Sequence, residues 1–182
     1  MVRLLGEGAS SQVFAAQHRA TGQKVALKVF CQELFNEEVE DICGPEQEFE
    51  ALRACSGVEQ VLQVVELIKD GDISVIVTEL MEGDDLINFA EAYETETIDE
   101  RTLKRIVRQI ATGLSHIHDR GIVHRDLKLE NIFMKSSEFD SKIVIGDFGF
   151  AVSPNENGTC AGRLGSRGYT APEVLMGEDY DF

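Results

Sequence analysis

Alternating apolar and polar positions mark the first part of the chain as rich in strands. Residues 25–30 read V-A-L-K-V-F, and residues 73–78 read I-S-V-I-V-T. A period of two is typical of strands that face a core on one side. Between them, residues 46–55 suit a helix, and Gly44-Pro45 marks its start. The pattern therefore predicts a sheet accompanied by one helix.

After about residue 82 the period becomes that of a helix. Apolar residues recur at helical spacing: Leu103, Ile106, Val107, Ile110, Leu114 and Ile117. The basic residues Arg101, Lys104, Arg105 and Arg108 fall on another side, which predicts a solvated face. Gly121 is placed to end this helix. Residues 143–145, I-V-I, indicate a short strand, and the polar stretch 154–165 indicates a mobile loop.

Composition and charge narrow the classes of function. The chain has 182 residues, enough for one domain or two small lobes. Its net charge of −16 disfavours a nucleic-acid binder, which would carry a basic patch, and favours basic peptides as partners. No apolar run approaches the roughly 18 residues of a membrane helix, so no membrane partner is expected.

The cysteines indicate neither a zinc site nor a disulfide framework. The four of them, Cys31, Cys43, Cys55 and Cys160, form no C-x-x-C pair and are interpreted as reduced thiols. Cys160 falls on the predicted loop, where a reactive thiol is the alternative. No signal peptide is recognisable at the N-terminus. A cytoplasmic location, with the nucleus as the alternative, is expected.

The candidate chemistry lies in two short motifs. Residues 124–131 read H-R-D-L-K-L-E-N, and residues 147–149 read D-F-G. They offer the carboxylates of Asp126 and Asp147 together with a lysine and a carboxamide. Phosphoryl transfer needs such a set, because one carboxylate must orient a hydroxyl nucleophile and another must hold magnesium. Each motif alone is equally compatible with a packed histidine or an ordinary turn.

A glycine-containing run supplies the other half of this chemistry. Residues 6–13 read G-E-G-A-S-S-Q-V and precede V-A-L-K at residues 25–28. Glycine lets backbone N–H groups approach phosphate oxygens closely, and Val13 would then lie against a nucleobase. The run opens a strand-turn-strand unit, unlike the strand-to-helix setting of a dinucleotide site.

Taken together and in this order, the motifs resemble the protein kinase family from about residue 4 to residue 182. The resemblance implies an α+β, two-lobed fold. Residues 1–81 would form the N-lobe, with a small antiparallel sheet and one helix, and the hinge. Residues 82–182 would form a mainly helical C-lobe, incomplete because the chain stops shortly after A-P-E at residues 171–173. Ser11, in the place of the third glycine, resembles calmodulin-dependent kinases.

This resemblance also implies site roles, with ATP and Mg²⁺ as cofactors. Asp126 would orient the substrate hydroxyl, Lys128 would neutralise phosphoryl charge, and Asn131 and Asp147 would ligate Mg²⁺. Glu48 would pair with Lys28, with Glu46 and Glu50 as alternatives. The residues implied for ATP binding are Leu5, Gly6, Glu7, Gly8, Ser11, Val13, Ala26, Lys28, Thr78, Glu79, Met81 and Asp85. His124 and Phe148 would pack beside Leu52 as support.

The resemblance also implies serine/threonine protein substrates, since several details of the catalytic motif are similar to those of serine/threonine kinases. Lys128 lies two residues after Asp126, and the A-P-E motif separates the chain from small-molecule kinases. Ser166 would contact Asp126 and Lys128. Glu130, with Asp85 and the acidic balance, predicts a preference for Arg-x-x-Ser/Thr. The alternative is an inactive fragment or pseudokinase that binds nucleotide or partners, which the presence of Lys28, Asp126 and Asp147 disfavours.

Control of the predicted activity is less defined. The activation segment, here residues 147–173, has Gly162 at the usual phosphoacceptor place. Thr159 and Ser153 are the alternative phosphosites, and activation without phosphate or through regulatory parts outside the chain are further alternatives. Calmodulin or other regulators are compatible with the resemblance, but no calmodulin-binding helix is recognisable.

Overall fold

A five-stranded antiparallel sheet forms the first part of the protein. The computed structural model describes residues 2–8, 11–31, 44–92 and 97–182. The strands are β1 (Arg3–Glu7), β2 (Ser11–Gln17), β3 (Lys24–Cys31), β4 (Val64–Asp70) and β5 (Ile73–Glu79), in the order β1-β2-β3-β5-β4. Of the sequence predictions, Ala9 and Ser10 in the glycine-containing run, Cys43 and the side chain of Cys31 lie outside the described residues.

The strand register decides which face of the sheet meets the core. Val13 pairs with Lys28 and Lys28 with Ile76, so these side chains share one face. Ile76 is 1% exposed, because helix α1 (Pro45–Ala54) packs on its face through Leu52. On the other face of β5, Ile73 is 43% exposed at the start of the strand, but Val77 is only 5% exposed. The alternation predicted a strand with one face on the core, whereas the later part of β5 is buried on both faces.

Helix α1 begins where the sequence predicts. Gly44 is its N-cap, Pro45 occupies the first helical position, and the Gly44 amide donates to Gln47 Oε1 at 2.8 Å. A proline at this position loses no intrahelical bond, and its fixed φ suits the helix. The start predicted at Gly44-Pro45 is therefore confirmed.

The second part opens with helices α2 (Leu86–Glu91) and α3 (Glu100–His118). Asp99 caps α3, since its Oδ1 accepts from the amides of Arg101 at 2.9 Å and Thr102 at 3.0 Å. The regular helix ends at His118. Gly121, at φ 67°, caps it as predicted, because its amide donates to the His118 carbonyl at 2.8 Å and the Ile122 amide donates to the Ile117 carbonyl at 3.3 Å.

Two expectations about the faces of α3 need correction. Ile106 and Ile117 are buried, but Leu103 and Val107 are 49% and 53% exposed, because the apolar stripe is wider than the core beside it. Arg105 is no solvated residue. Its guanidinium donates to the carbonyls of Phe139 and Ser141, both at 2.8 Å, and so holds a distant loop.

Short elements carry the residues between α3 and the chain end. A 3₁₀ turn (Leu129–Asn131) leads into β6 (Ile132–Met134), which pairs with β7 (Ile143–Ile145), and α4 covers Pro172–Met176. All three residues of β7 are buried, which confirms the strand predicted there. No element of the described residues 154–165 is a helix or strand, which agrees with the predicted loop.

One core cluster joins the two parts. Leu52 and Ile76 from the sheet side pack in it with Ile117, Ile145 and Phe148 from the second part. The geometry of the cleft between them is therefore fixed by shared packing as well as by the connecting chain. Among the described residues, no helix is both long and apolar enough to cross a membrane.

Candidate active site

A cleft of about 1040 Å³ lies between the sheet and the 3₁₀ turn. Every residue that the sequence assigns to ATP binding lines it, together with Glu48, Glu130, Asn131 and Asp147. Asp126, Lys128 and Ser166 form an adjoining cluster that Asn131 links to the cleft. The structure therefore brings residues from widely separated motifs into one place.

Lys28 is the central cation of the cleft. Its Nζ lies 2.8 Å from both carboxylate oxygens of Glu48 and 2.8 Å from Asp147 Oδ1. The two alternative partners are engaged elsewhere: Glu46 pairs with Lys69, and Glu50 with Arg53. Glu48 comes to Lys28 because α1 turns its buried side toward β3, and the Glu48 side chain is only 3% exposed.

Burial and charge oppose each other in this ion pair. Burial alone would lower the pKa of Lys28, but the carboxylates of Glu48 and Asp147 outweigh it and raise the pKa above its ordinary value. Burial raises the pKa of Glu48, and Lys28 offsets part of that rise. Burial would also raise the pKa of Asp147, but Lys28 brings it below its usual range. Lys28 thus keeps Asp147 ionised.

Asp126 is buried at the centre of a second network. Its Oδ1 accepts from the Ser166 amide at 2.9 Å, and its Oδ2 accepts from Asn131 Nδ2 at 2.9 Å and lies 3.0 Å from Lys128 Nζ. Lys128 also donates to Ser166 Oγ at 2.6 Å. Asp126 is 3% exposed, and these hydrogen bonds and the contact with Lys128 hold its carboxylate in one orientation.

Backbone strain accompanies both motifs. Arg125 and Asp147 are non-glycine residues with positive φ, at 65° and 55°. Such conformations cost of order 1–3 kcal/mol each and persist only where the surroundings enforce them. Arg125 directly precedes Asp126, whose carboxylate contacts Lys128, and Asp147 contacts Lys28.

The donor set suits Mg²⁺ held together with a nucleotide. Asn131 uses its Nδ2 on the backbone carbonyl and carboxylate of Asp126, which leaves Oδ1 as an acceptor. Asp147 offers Oδ2, since Oδ1 accepts from Lys28. The described residues contain no cluster of three or more metal-binding side chains. Mg²⁺ is usually bound by one or two protein oxygens plus phosphates and water, so a sparse set fits it.

The end of β5 and the segment that follows it place the predicted adenine contacts at the rim of the cleft. Thr78 is buried and donates through Oγ1 to the Glu79 carbonyl at 3.1 Å. The Glu79 carboxylate accepts from Lys135 at 2.8 Å, which ties this segment to the second part. Asp85 lines the cleft, but its carboxylate already caps α2 by accepting from Asn88.

Phe133 is a cleft residue that the sequence interpretation missed. It lines the cavity, and a Cβ on Gly146 would lie 2.9 Å from its ring, so glycine at that position permits the packing. The signal was present in β6, where Phe133 is half-buried between the buried Ile132 and Met134. A strand residue that alternates with two core residues points to the opposite face.

Glu130 lies in the cleft wall with an unusual carboxylate. Its Oε2 is buried, and among the residues that the structure describes it has no hydrogen-bond partner. A buried acceptor without a partner costs about 1–3 kcal/mol, more when charged. Glu130 therefore has the potential to gain from a cationic ligand group.

The activation segment contains both phosphosite candidates. Thr159 is half-buried, and its hydroxyl is hydrogen-bonded to Asn155, whose Oδ1 also accepts from the Thr159 amide at 3.1 Å. Ser153 is exposed. Ser166 lies at the far end against Asp126 and Lys128, which is the contact that the sequence resemblance implies.

Comparison with known proteins decides the family. The family model of the protein kinase domain matches residues 1–182. The chain belongs to the protein kinase domain family. The predicted fold class is confirmed accordingly: a five-stranded antiparallel N-lobe sheet with one helix is followed by the beginning of a helical C-lobe.

Individual relatives agree with this family. The chain is 31% identical over 179 residues to serine/threonine-protein kinase ATG1c of Arabidopsis thaliana, covering 98% of this chain and 24% of that protein. It is 34% identical to calcium/calmodulin-dependent protein kinase type 1 of Caenorhabditis briggsae (97% and 48%) and to human serine/threonine-protein kinase H1 (97% and 41%). The chain thus spans at most about half the length of these relatives.

His124 of this kinase domain is buried as a neutral ring. Its Nε2 lies 3.0 Å from the Gly146 carbonyl, and its Nδ1 lies 3.3 Å from the Asp126 amide, so Nε2 donates and Nδ1 accepts. Burial lowers its pKa, although nearby carboxylates oppose this. Its ring meets Phe148 edge-on at 4.8 Å, and Phe148 packs in the core cluster with Leu52, as predicted.

We expect this ring to make stability depend on pH. Its folded pKa lies below the unfolded value of about 6.5, so the unfolded chain binds more protons in that window. The contribution of His124 to the free energy of unfolding is then fully present above about pH 6.5. It falls by at most about 1.4 kcal/mol per pH unit as the pH drops toward the folded pKa. Urea unfolding at pH 7.5, 6.5 and 5.5 measures the slope. His124→Gln should flatten it, and His116→Gln, at an exposed site, should not; equal slopes would contradict the assignment.

Proposed function

We propose that this chain is the catalytic region of a protein serine/threonine kinase that uses ATP and Mg²⁺. The observation that carries the proposal is the Lys28–Glu48–Asp147 ion cluster in the cleft, with the Asp126–Lys128–Ser166 network adjoining it through Asn131. The first group suits phosphates and metal, and the second suits a hydroxyl nucleophile. The names of the relatives, which are serine/threonine and calmodulin-dependent kinases, support the same class of substrate.

The chain's own residues divide the work of phosphoryl transfer. Lys28 would hold the α- and β-phosphates, with Glu48 fixing its position. Mg²⁺ bound by Asn131 and Asp147 would neutralise charge on the triphosphate. Asp126 would orient the substrate hydroxyl and accept its proton, and Lys128 would stabilise the charge that develops on the transferred group. Backbone groups of Glu79 and Met81 would bind adenine.

We also propose that substrates carry a basic residue upstream of the phosphoacceptor. The support is the buried Oε2 of Glu130 at the wall of the cleft, which has no hydrogen-bond partner within the described part of the chain. A substrate guanidinium would supply the missing donor and gain a charge-assisted bond. The net charge of −16 would favour encounter with such peptides.

Regulation by calmodulin is a further proposal, which the calcium/calmodulin-dependent relatives suggest.

One assay tests both proposals. The full-length protein is given Mg-ATP and three matched peptides: a serine peptide with arginine three residues upstream, the same peptide with alanine there, and a tyrosine version. We expect transfer to serine, with the arginine peptide preferred by about 10- to 100-fold in kcat/KM, as one charge-assisted bond provides.

The control variants identify the residue responsible for the preference. Glu130→Gln should reduce the arginine preference, whereas Glu138→Gln, an exposed carboxylate in the β6–β7 loop, should keep it. Equal rates on the arginine and alanine peptides would reject the substrate proposal alone. Binding of Mg-ATP without any transfer would instead favour a nucleotide-binding module.

A further inference from the structure

The guanidinium of Arg125 bonds to residues from three separate segments of the described chain. Its Nε donates to the Phe150 carbonyl at 2.5 Å, and its Nη1 lies 3.2 Å from the Ala161 carbonyl and 3.4 Å from the Tyr180 hydroxyl. All three acceptors are uncharged. Arg125 directly precedes Asp126, so whatever holds this side chain also bears on the catalytic loop.

Tyr180 holds the activation segment by its backbone and its side chain. Its amide donates to the Cys160 carbonyl at 3.0 Å, and its carbonyl accepts from the Cys160 amide at 2.6 Å. Its hydroxyl donates to the Ala161 carbonyl at 3.3 Å. Residues 160 and 161 are therefore anchored to Tyr180 by three hydrogen bonds, and to Arg125 by a fourth.

This anchor lies a short distance along the chain from the catalytic network. Ser166, five residues after Ala161, bonds to both Asp126 and Lys128. Between them, Gly162 and Gly165 have φ values of 100° and 115°, and a Cβ on Gly165 would lie 2.9 Å from the Arg125 carbonyl. The chain thus runs against Arg125 from the anchor to Ser166, so displacement at residues 160–161 would be passed on to Ser166.

We propose that Tyr180 is a positioning residue that keeps the activation segment in its substrate-ready conformation without a phosphate. Its hydroxyl and the Ala161 carbonyl occupy the side of Arg125 that faces Gly162, a residue with no hydroxyl to phosphorylate. The proposal rests on the proposed kinase function. On the side of Gly162, Arg125 thus binds acceptors supplied from within the chain.

The test removes only the hydroxyl. In the full-length protein, Tyr180→Phe keeps the ring and the backbone bonds to Cys160, and we expect kcat/KM for a serine peptide to fall about five- to tenfold. The Kd for Mg-ATP should stay unchanged, because Tyr180 lies outside the cleft. Thr112→Val is the matched control, since it removes an exposed hydroxyl bonded to the Arg108 carbonyl on α3. Wild-type transfer by Tyr180→Phe, or an equal loss in Thr112→Val, would overturn the proposal.

Two further readouts separate this proposal from the proposed function. Wild-type protein treated with a broad-specificity phosphatase should retain its transfer rate, with mass spectrometry showing no phosphate on residues 147–173; loss of transfer on treatment would overturn the proposal. Amide hydrogen exchange at Cys160 should be about five- to tenfold faster in Tyr180→Phe than in wild type. Exchange needs no catalysis, so equal rates would reject the anchor even in a protein that proves to transfer no phosphate.

Discussion

Replacing Asp126 with asparagine is expected to abolish measurable phosphate transfer while leaving Mg-ATP binding intact. The carboxylate accepts from the Ser166 amide and Asn131 and lies against Lys128, and it is the group that we propose takes the substrate proton. An amide cannot take that proton, and its NH₂ group would face either Lys128 or the Ser166 amide. General-base catalysis contributes about 10²–10⁴-fold, so kcat should fall by at least that range.

The measurement is kcat for a serine peptide, with Kd for Mg-ATP determined separately by calorimetry. Asp140→Asn provides the control, because it makes the same chemical change at an exposed position of the β6–β7 loop. Transfer within tenfold of wild type would show that Asp126 does not have this role. A joint loss of transfer and nucleotide binding would point instead to collapse of the cleft.

Local motifs predicted much of the fold and of the candidate site. Strand β7 and the start of α1 follow from a few neighbouring residues. In these cases the information is local, because side-chain direction follows from the period of the element and the offset along the chain. Resemblance to kinases supplied the rest, including the contact between Ser166 and Lys128.

What the sequence could not predict depends on contacts between distant segments. Arg105 looks solvated from its helix face, yet it binds carbonyls more than thirty residues away. Leu103 and Val107 fit an inward stripe, yet the core beside α3 does not extend to them. The contact of Tyr180 with Arg125 spans 55 residues, and Tyr180 belongs to no recognised motif. Tertiary packing decides such contacts, and local periodicity carries no information about them.

Replacing Lys28 with methionine is expected to destabilise the fold as well as to abolish transfer. Lys28 Nζ is within 2.8 Å of Glu48 and Asp147, and the Glu48 side chain is 3% exposed. Removing one partner of a buried pair costs about 3–5 kcal/mol, because the remaining charge is left uncompensated. Lys24→Met is the matched control, since its pair with Glu82 is exposed on both sides and should contribute less than about 1 kcal/mol.

The cost of Lys28→Met should also depend on pH in a defined direction. Burial already raises the pKa of Glu48, and without Lys28 it rises further above the unfolded value of about 4.3. A raised folded pKa contributes stability at low pH that is lost as pH rises through it, so the variant should weaken as the pH rises above about 4.3. Urea unfolding across this range measures the effect, and a cost that does not change with pH would contradict it.

A double variant separates the structural role of Lys28 from its catalytic one. Lys28→Met combined with Glu48→Met replaces the buried pair by apolar side chains, which is often neutral or stabilising. We therefore expect the double variant to recover most of the lost stability, while phosphate transfer stays absent because no cation faces the nucleotide phosphates. Recovery of both properties would show that Lys28 serves the fold alone. Recovery of neither stability nor transfer would indicate that the contact between Lys28 and Asp147, which both variants lack, provides most of the stabilisation.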